Sequence, residues 1–149
     1  VMRSRIVWKV ISVFLIGILI GVGIGQQQAL AESKGVWVSP VGTVGTASTT
    51  GFPSQGSVGR SSSTVTLNWL RAHIKIWHTG SILQKQDNKG LGNTTSVSTS
   101  TLTSSGYGDY AVTYHEFRYQ SGSSLSTAYT SDNGARSCSA AWNGFVYSC

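Results

Sequence analysis

The side chains able to do chemistry are few: five carboxylates, three histidines and two cysteines in 149 residues. A glycosidase needs two carboxyl groups facing one another across the scissile bond. Asp109 and Glu116 share one extended stretch at opposite parity, so they point to opposite faces of a strand. Asp87 and Asp132 each sit beside an asparagine in polar surroundings, where turn formation explains them. The sequence contains neither G-x-S-x-G, nor a lone cysteine with a distant histidine, nor HExxH. His73 and His115 share a face if their strands pair, but a metal site requires a third ligand, and Glu116 and His78 have the wrong parity. These patterns predict no enzyme, no metal and no cofactor.

What the spacing does gather is aromatic and basic. His73, Lys75 and Trp77 alternate along one segment, and Thr113, His115, Phe117 and Tyr119 along another. Paired as neighbours, the two segments present a contiguous outward surface, and exposed aromatic patches of this kind mark contact sites. The predicted ligand face is therefore His73, Lys75, Trp77, His115, Phe117 and Tyr119, with Tyr110, Val112 and Tyr114 turned to the core. Its partner would be a cell-surface glycan or protein, or further copies of the chain. The competing expectation is that Trp77 and Phe117 are covered by the N-terminal segment or by the C-terminal one, whose Trp142 and Phe145 also need burial.

The N-terminus indicates where such a protein would work. Arg3, Arg5 and Lys9 precede an uncharged run from Val10 to Gly25, followed by Ala29-Leu30-Ala31. That is the order of a secretory signal peptide, with cleavage expected after Ala31. The alternative is an uncleaved membrane anchor, supported by Gly17, Gly21 and Gly25, whose spacing lets transmembrane helices approach closely. The membrane enters only through this segment. The chain after Ala31 carries eight Lys and Arg against five Asp and Glu, a net of +3 too dispersed for nucleic acid.

Residues 32–63 open on Val36-Trp37-Val38 and then become a Gly, Ser and Thr tract, which predicts a flexible lead with one strand near Val36. From residue 64 to 149 the pattern is that of a β domain. Val65, Leu67 and Trp69 alternate with polar residues, then the phase shifts so that Leu70, Ala72, Ile74 and Ile76 carry the apolar face, which predicts a break near Asn68. A helix through Leu67, Leu70, Ile74 and Trp77 is the rival, disfavoured by the β-branched and aromatic content. Thr79-Gly80 reads as a turn, Gln86–Asn93 as a polar loop, Asn93–Ser105 as a strand, and Asp109–Tyr119 as the longest aromatic strand, returning through Leu125–Thr130. Short strands with turn signals between them indicate an all-β antiparallel sandwich.

Two cysteines close the chain, Cys138 and Cys149. Between them Asn143-Gly144 is a strong hairpin turn, and pairing across it sets the two cysteines opposite each other. In an exported protein this predicts a disulfide stapling the hairpin.

Gly108-Asp109-Tyr110-Ala111-Val112 resembles the start of the F strand of immunoglobulin-like domains, with Tyr110 at the position of the tyrosine corner. Residues 72–83 resemble a C strand turning into C′, and the Ser/Thr tract resembles strand E. The resemblance covers Ala72 to Thr130 and implies an immunoglobulin-like sandwich, although Val112 replaces the inter-sheet cysteine. Such folds do not select a function. The reading is a secreted, non-enzymatic binding module; a self-assembling extracellular protein and a small secreted antibacterial or inhibitor are the alternatives. N-terminal sequencing of the exported protein is expected to begin at Glu32; a start at Met2 would establish the uncleaved anchor instead.

Overall fold

The slip in alternation at Asn68 is where the chain changes sheet. Strand β3 (Val58–Leu67) ends before it and β4 (Trp69–His78) begins after it, in the opposite layer. The kinked peptide keeps its hydrogen bonds: Asn68 N donates to the Tyr119 carbonyl at 3.0 Å, and its own carbonyl accepts from Asn93 N at 3.3 Å. The computed structural model describes residues 32–78, 82–106, 108–132 and 142. The remaining strands are β1 (Glu32–Val38), β2 (Gly42–Thr50), β5 (Ile82–Leu91), β6 (Thr94–Ser98), β7 (Tyr110–Arg118) and β8 (Ser126–Ser131). They form two antiparallel four-stranded sheets, in the orders β1-β2-β3-β6 and β5-β4-β7-β8. The sheets pack face to face as a β-sandwich.

Val36, Val38, Ala47, Leu67 and Val97 of the first sheet meet Leu70, Ala72 and Phe117 of the second, and Ile74, Ile76 and Ala111 continue the buried layer. Residues 32–63, for which composition predicts a flexible lead, are instead β1, β2 and most of β3. Their small side chains are the complement of large ones across the interface. A Cβ on Gly45 would come within 3.0 Å of the Phe117 ring, and one on Gly59 within 2.4 Å of Thr113 Cγ2. The apolar area comes from β4 and β7, and the Gly, Ser and Thr tract supplies the close-packed floor beneath them.

The second difference concerns β7. Leu70, Ala72, Ile74 and Ile76 lie opposite Phe117, His115, Thr113 and Ala111, and all eight are fully buried between the sheets. His115 and Phe117 are therefore not on an outward ligand face, and Tyr110, Val112 and Tyr114 are not in the inter-sheet core. The reason is hydrogen bonding. Thr113 Oγ1 is 2.7 Å from Thr49 Oγ1, which is also 2.7 Å from Thr130 Oγ1. His115 Nε2 lies 2.8 Å from Thr130 Oγ1, and its Nδ1 lies 2.9 Å from Ser61 Oγ. Ser61 donates to the Arg71 carbonyl at 2.6 Å. Each polar group that β7 turns inward finds a partner, so its burial costs little.

The edges are closed in different ways. On one side β1 and β8 are stitched together, with Ser131 N donating to Glu32 Oε2 at 2.6 Å and Lys34 Nζ donating to the Tyr129 carbonyl at 3.1 Å. On the other, Gln86–Leu91, expected as loop, continues β5 as an exposed edge strand. Its register sets Lys85, Asp87 and Lys89 opposite inward-facing Ile76, Ile74 and Ala72, and inward-pointing charge is a device that discourages edge pairing with other chains. Asp87 accepts from Ser100 N at 2.6 Å, the main reason its carboxyl titrates below the ordinary range. The expected strand over Asn93–Ser105 is confined to Thr94–Ser98. Cys138 and Cys149 lie outside the described residues, as does the expected signal segment.

Burial, with Lys34 as a lesser cause, holds His115 down to about 3. Below its ordinary value near 6.5 the unfolded chain takes up a proton that the folded chain refuses, so stability falls with falling pH, by up to ~1.4 kcal/mol per unit. Thermal melts at pH 7 and pH 5, above the range in which Asp87 and Asp109 titrate, are expected to show this loss. His115→Gln is expected to flatten the dependence; an unchanged slope would place the acid sensitivity elsewhere.

Candidate functional site

With β7 turned this way, the outer face of the β5-β4-β7-β8 sheet receives an aromatic and charged set. Across the β4–β7 pair the outward residues meet as Arg71 with Glu116, His73 with Tyr114, Lys75 with Val112, and Trp77 with Tyr110. On β8, Tyr129 stands beside Tyr114, their ring centroids 5.1 Å apart. Trp77, Tyr110 and Val112 form a second cluster here, apart from the inter-sheet core, with Tyr129 and Trp142 packed against it.

Trp142 is the centre of this cover. Its ring meets His73 edge-on at 4.7 Å between centroids, Tyr114 at 5.7 Å and Tyr129 at 6.1 Å, and Lys75 Nζ sits 4.0 Å from its centroid. Lys75 also lies 5.5 Å from the Trp77 ring. The ammonium thus sits between two indoles, a cation–π arrangement. Burial lowers the Lys75 pKa, and it lowers that of His73, whose Nε2 is 3.2 Å from Gln86 Oε1. Burial, then the nearby Glu116, raises that of Tyr114.

Of the six residues expected on the ligand face, His73, Lys75 and Trp77 are on the outer side of this sheet, and Trp77 is only 8% exposed because the C-terminal indole covers its cluster. His115 and Phe117 are between the sheets, and Tyr119 packs against the inter-sheet core. Tyr110, expected as a tyrosine corner, begins β7 and is buried in the outer cluster with Trp77. The sequence reading passed over Trp69, Arg71, Tyr114, Glu116 and Tyr129. Trp69 and Arg71 share the parity of His73, and that signal was available; it was obscured by assigning Trp69 to the strand before the break.

Beyond the edge of the Trp142 cover, these residues form a second arrangement. Trp69 Nε1 donates to Glu116 Oε2 at 2.9 Å, Arg71 Nη1 donates to Glu116 Oε1 at 3.1 Å, and Arg71 Nε donates to Asn88 Oδ1 at 2.8 Å. The Trp69 ring reaches over Gly90 of β5, where a Cβ would come within 2.6 Å of its Cη2.

The other charged cluster lies at one end of the sandwich. The Asp109 carboxylate takes His78 Nδ1 at 2.5 Å, Gly106 N at 3.2 Å and the Ser104 hydroxyl. Burial opposes ionisation of Asp109, and the bonds from Ser104, His78 and Gly106 outweigh it, so the carboxyl titrates below its usual range. Asp109 lines a cavity of about 470 Å³ with Phe52, Pro53, Ser54, Ser105, Gly106 and Gly108. The carboxylate stands between the serine and the histidine, so Ser104 has no imidazole base beside it, and the cluster works as a clasp on the 104–109 loop. Among the described residues no three His, Cys, Asp or Glu side chains converge as metal ligands.

Comparisons with protein-family models, with curated proteins and with solved structures gave no match, so the reading of the site rests on its own geometry.

Trp142→Ala is expected to raise the Lys75 pKa towards its ordinary value by rehydrating the ammonium, and to cost about 1–2 kcal/mol in lost ring and cation contacts. NMR titration of Lys75 Nζ with near-UV circular dichroism measures both; an unshifted Lys75 would show that its desolvation has another source.

Proposed function

We propose that the chain is a secreted, non-enzymatic binding module that engages a cell-surface glycan or protein through the outer face of the β5-β4-β7-β8 sheet. The observation that carries this is the composition of that face: Trp69, Arg71, His73, Lys75, Tyr114, Glu116 and Tyr129 stand together on one regular sheet. Rigid aromatic rings beside fixed polar groups are the usual chemistry of recognition surfaces. The Asp109 clasp has the organisation of a structural element, which favours binding over catalysis. Export is supported by the N-terminal pattern of residues 1–31.

An immunoglobulin-like topology is part of the same proposal. Its support is the strand order: β2-β3-β6 opposed to β5-β4-β7-β8 follows the family's A-B-E and C′-C-F-G arrangement, with sheet crossings at β3–β4 and β6–β7. Self-assembly through strand edges is the weaker reading, because β1 is already paired within the chain and β5 turns Lys85, Asp87 and Lys89 inward.

The exported chain is expected to be retained by cell-wall and polysaccharide preparations or by a surface protein. His73→Ala combined with Tyr114→Ala should weaken retention at least tenfold while leaving the melting temperature within a few degrees. Undiminished retention of a folded double variant would remove this face from consideration.

A further inference from the structure

Resting on that reading of the face, we propose that Trp69 is a stacking platform for a neutral β-configured hexopyranose unit of a glycan, with Arg71, Asn88 and Glu116 as its polar rim. Three features of the indole lead to this. First, it is supported from below: Gly90 has no Cβ, and the ring occupies the space one would fill. Second, it is oriented: its single polar atom, Nε1, is committed to Glu116 Oε2 at 2.9 Å. A ligand can therefore meet this side chain only through its apolar π face. Third, Trp69 is partly exposed, and the Trp142 contacts fall on His73, Lys75, Tyr114 and Tyr129, one strand position further along the sheet.

The rim determines the ligand class. Arg71 and Glu116 neutralise each other at 3.1 Å, so the platform offers no net charge to a phosphate or a carboxylate. Arg71 also bridges to Asn88 Oδ1 at 2.8 Å, which locks the guanidinium beside the ring. The Asn88 Nδ2 and Arg71 Nη2 donors take no partner among the described residues, and the Glu116 oxygens retain acceptor capacity. A hexopyranose with equatorial hydroxyls matches this combination. It presents one flat face of C–H bonds to the electron-rich face of the indole, while its hydroxyls radiate from the ring edge at the height of the rim groups. An aromatic peptide side chain would gain from an enclosing pocket, and the platform is an open shelf. Because the rim is already hydrogen-bonded internally, little ordering entropy opposes binding.

The test is titration of the exported chain with cellotetraose and with chitotetraose, followed by calorimetry and by the Trp69 indole N–H resonance. At least one of the two is expected to bind and to shift that resonance. Trp69→Ala is expected to weaken binding at least tenfold. Gly90→Ala, on an exposed edge strand, keeps the indole but lifts it from its seat and is expected to weaken binding several-fold with little change in melting temperature, which covers the case in which Trp69→Ala fails to fold. Binding that survives Trp69→Ala and Gly90→Ala but is lost in the His73→Ala and Tyr114→Ala double variant would overturn the platform and leave the wider face standing. Retention on cell-wall preparations without affinity for either oligosaccharide would likewise overturn the platform alone. Absence of both would overturn it together with the reading it rests on.

Discussion

The hydrogen-bonded seam between the sheets is the constraint on which the rest of this structure depends. Thr49, Thr113, Thr130, His115 and Ser61 bury hydroxyls and an imidazole where a sandwich ordinarily buries hydrocarbon. Each group is satisfied by a partner on another strand, and removing one would leave its neighbour buried and unpaired, the costly case. The seam ties β2 and β3 of one sheet to β7 and β8 of the other, so it acts as a registration device as well as a source of stability. It also fixes which side of β7 faces inward, and with it the composition of the opposite side.

That consequence creates the candidate site. Because Thr113, His115 and Phe117 face the other sheet, Tyr110, Val112 and Tyr114 are turned outward, beside Trp77, Lys75 and His73 of β4. A sheet face this rich in aromatic surface needs cover, and Trp142 supplies part of it. The Trp69 end is organised by other means: a glycine floor, a carboxylate on the indole N–H and a guanidinium bridging β4, β5 and β7. One outer face thus holds a covered half and an ordered open half, and chemistry with a ligand falls to the second.

Much of the strand content was legible because side-chain alternation is a local property. The break at Asn68 could be read from a phase slip within a dozen residues, and the extended stretch from Tyr110 to Arg118 from its β-branched and aromatic content. Residues 32–63 were misread because local composition reports how much a segment can bury by itself. Gly45 and Gly59 acquire their role only when Phe117 and Thr113 arrive from the other sheet. Gln86–Leu91 was misread for a related reason: an edge strand exposed on both sides carries no alternation to detect.

The sequence by itself determined the all-β class, the antiparallel character, the positions of β4 and β7, and the shared parity of His73, Lys75 and Trp77. Only the tertiary structure decided which face of β7 is buried. Parity arguments leave two solutions related by inversion, and hydrophobicity favoured the wrong one, since Tyr110, Val112 and Tyr114 are more apolar as a set than Thr113 and His115. The choice belongs to partners remote in the chain: Thr49 and Thr130 stand 81 positions apart, and Ser61 and His115 stand 54 apart. A polar side chain is acceptable in a core only where the complementary donor or acceptor already waits. That complementarity exists between strands, so no window along a single strand contains it.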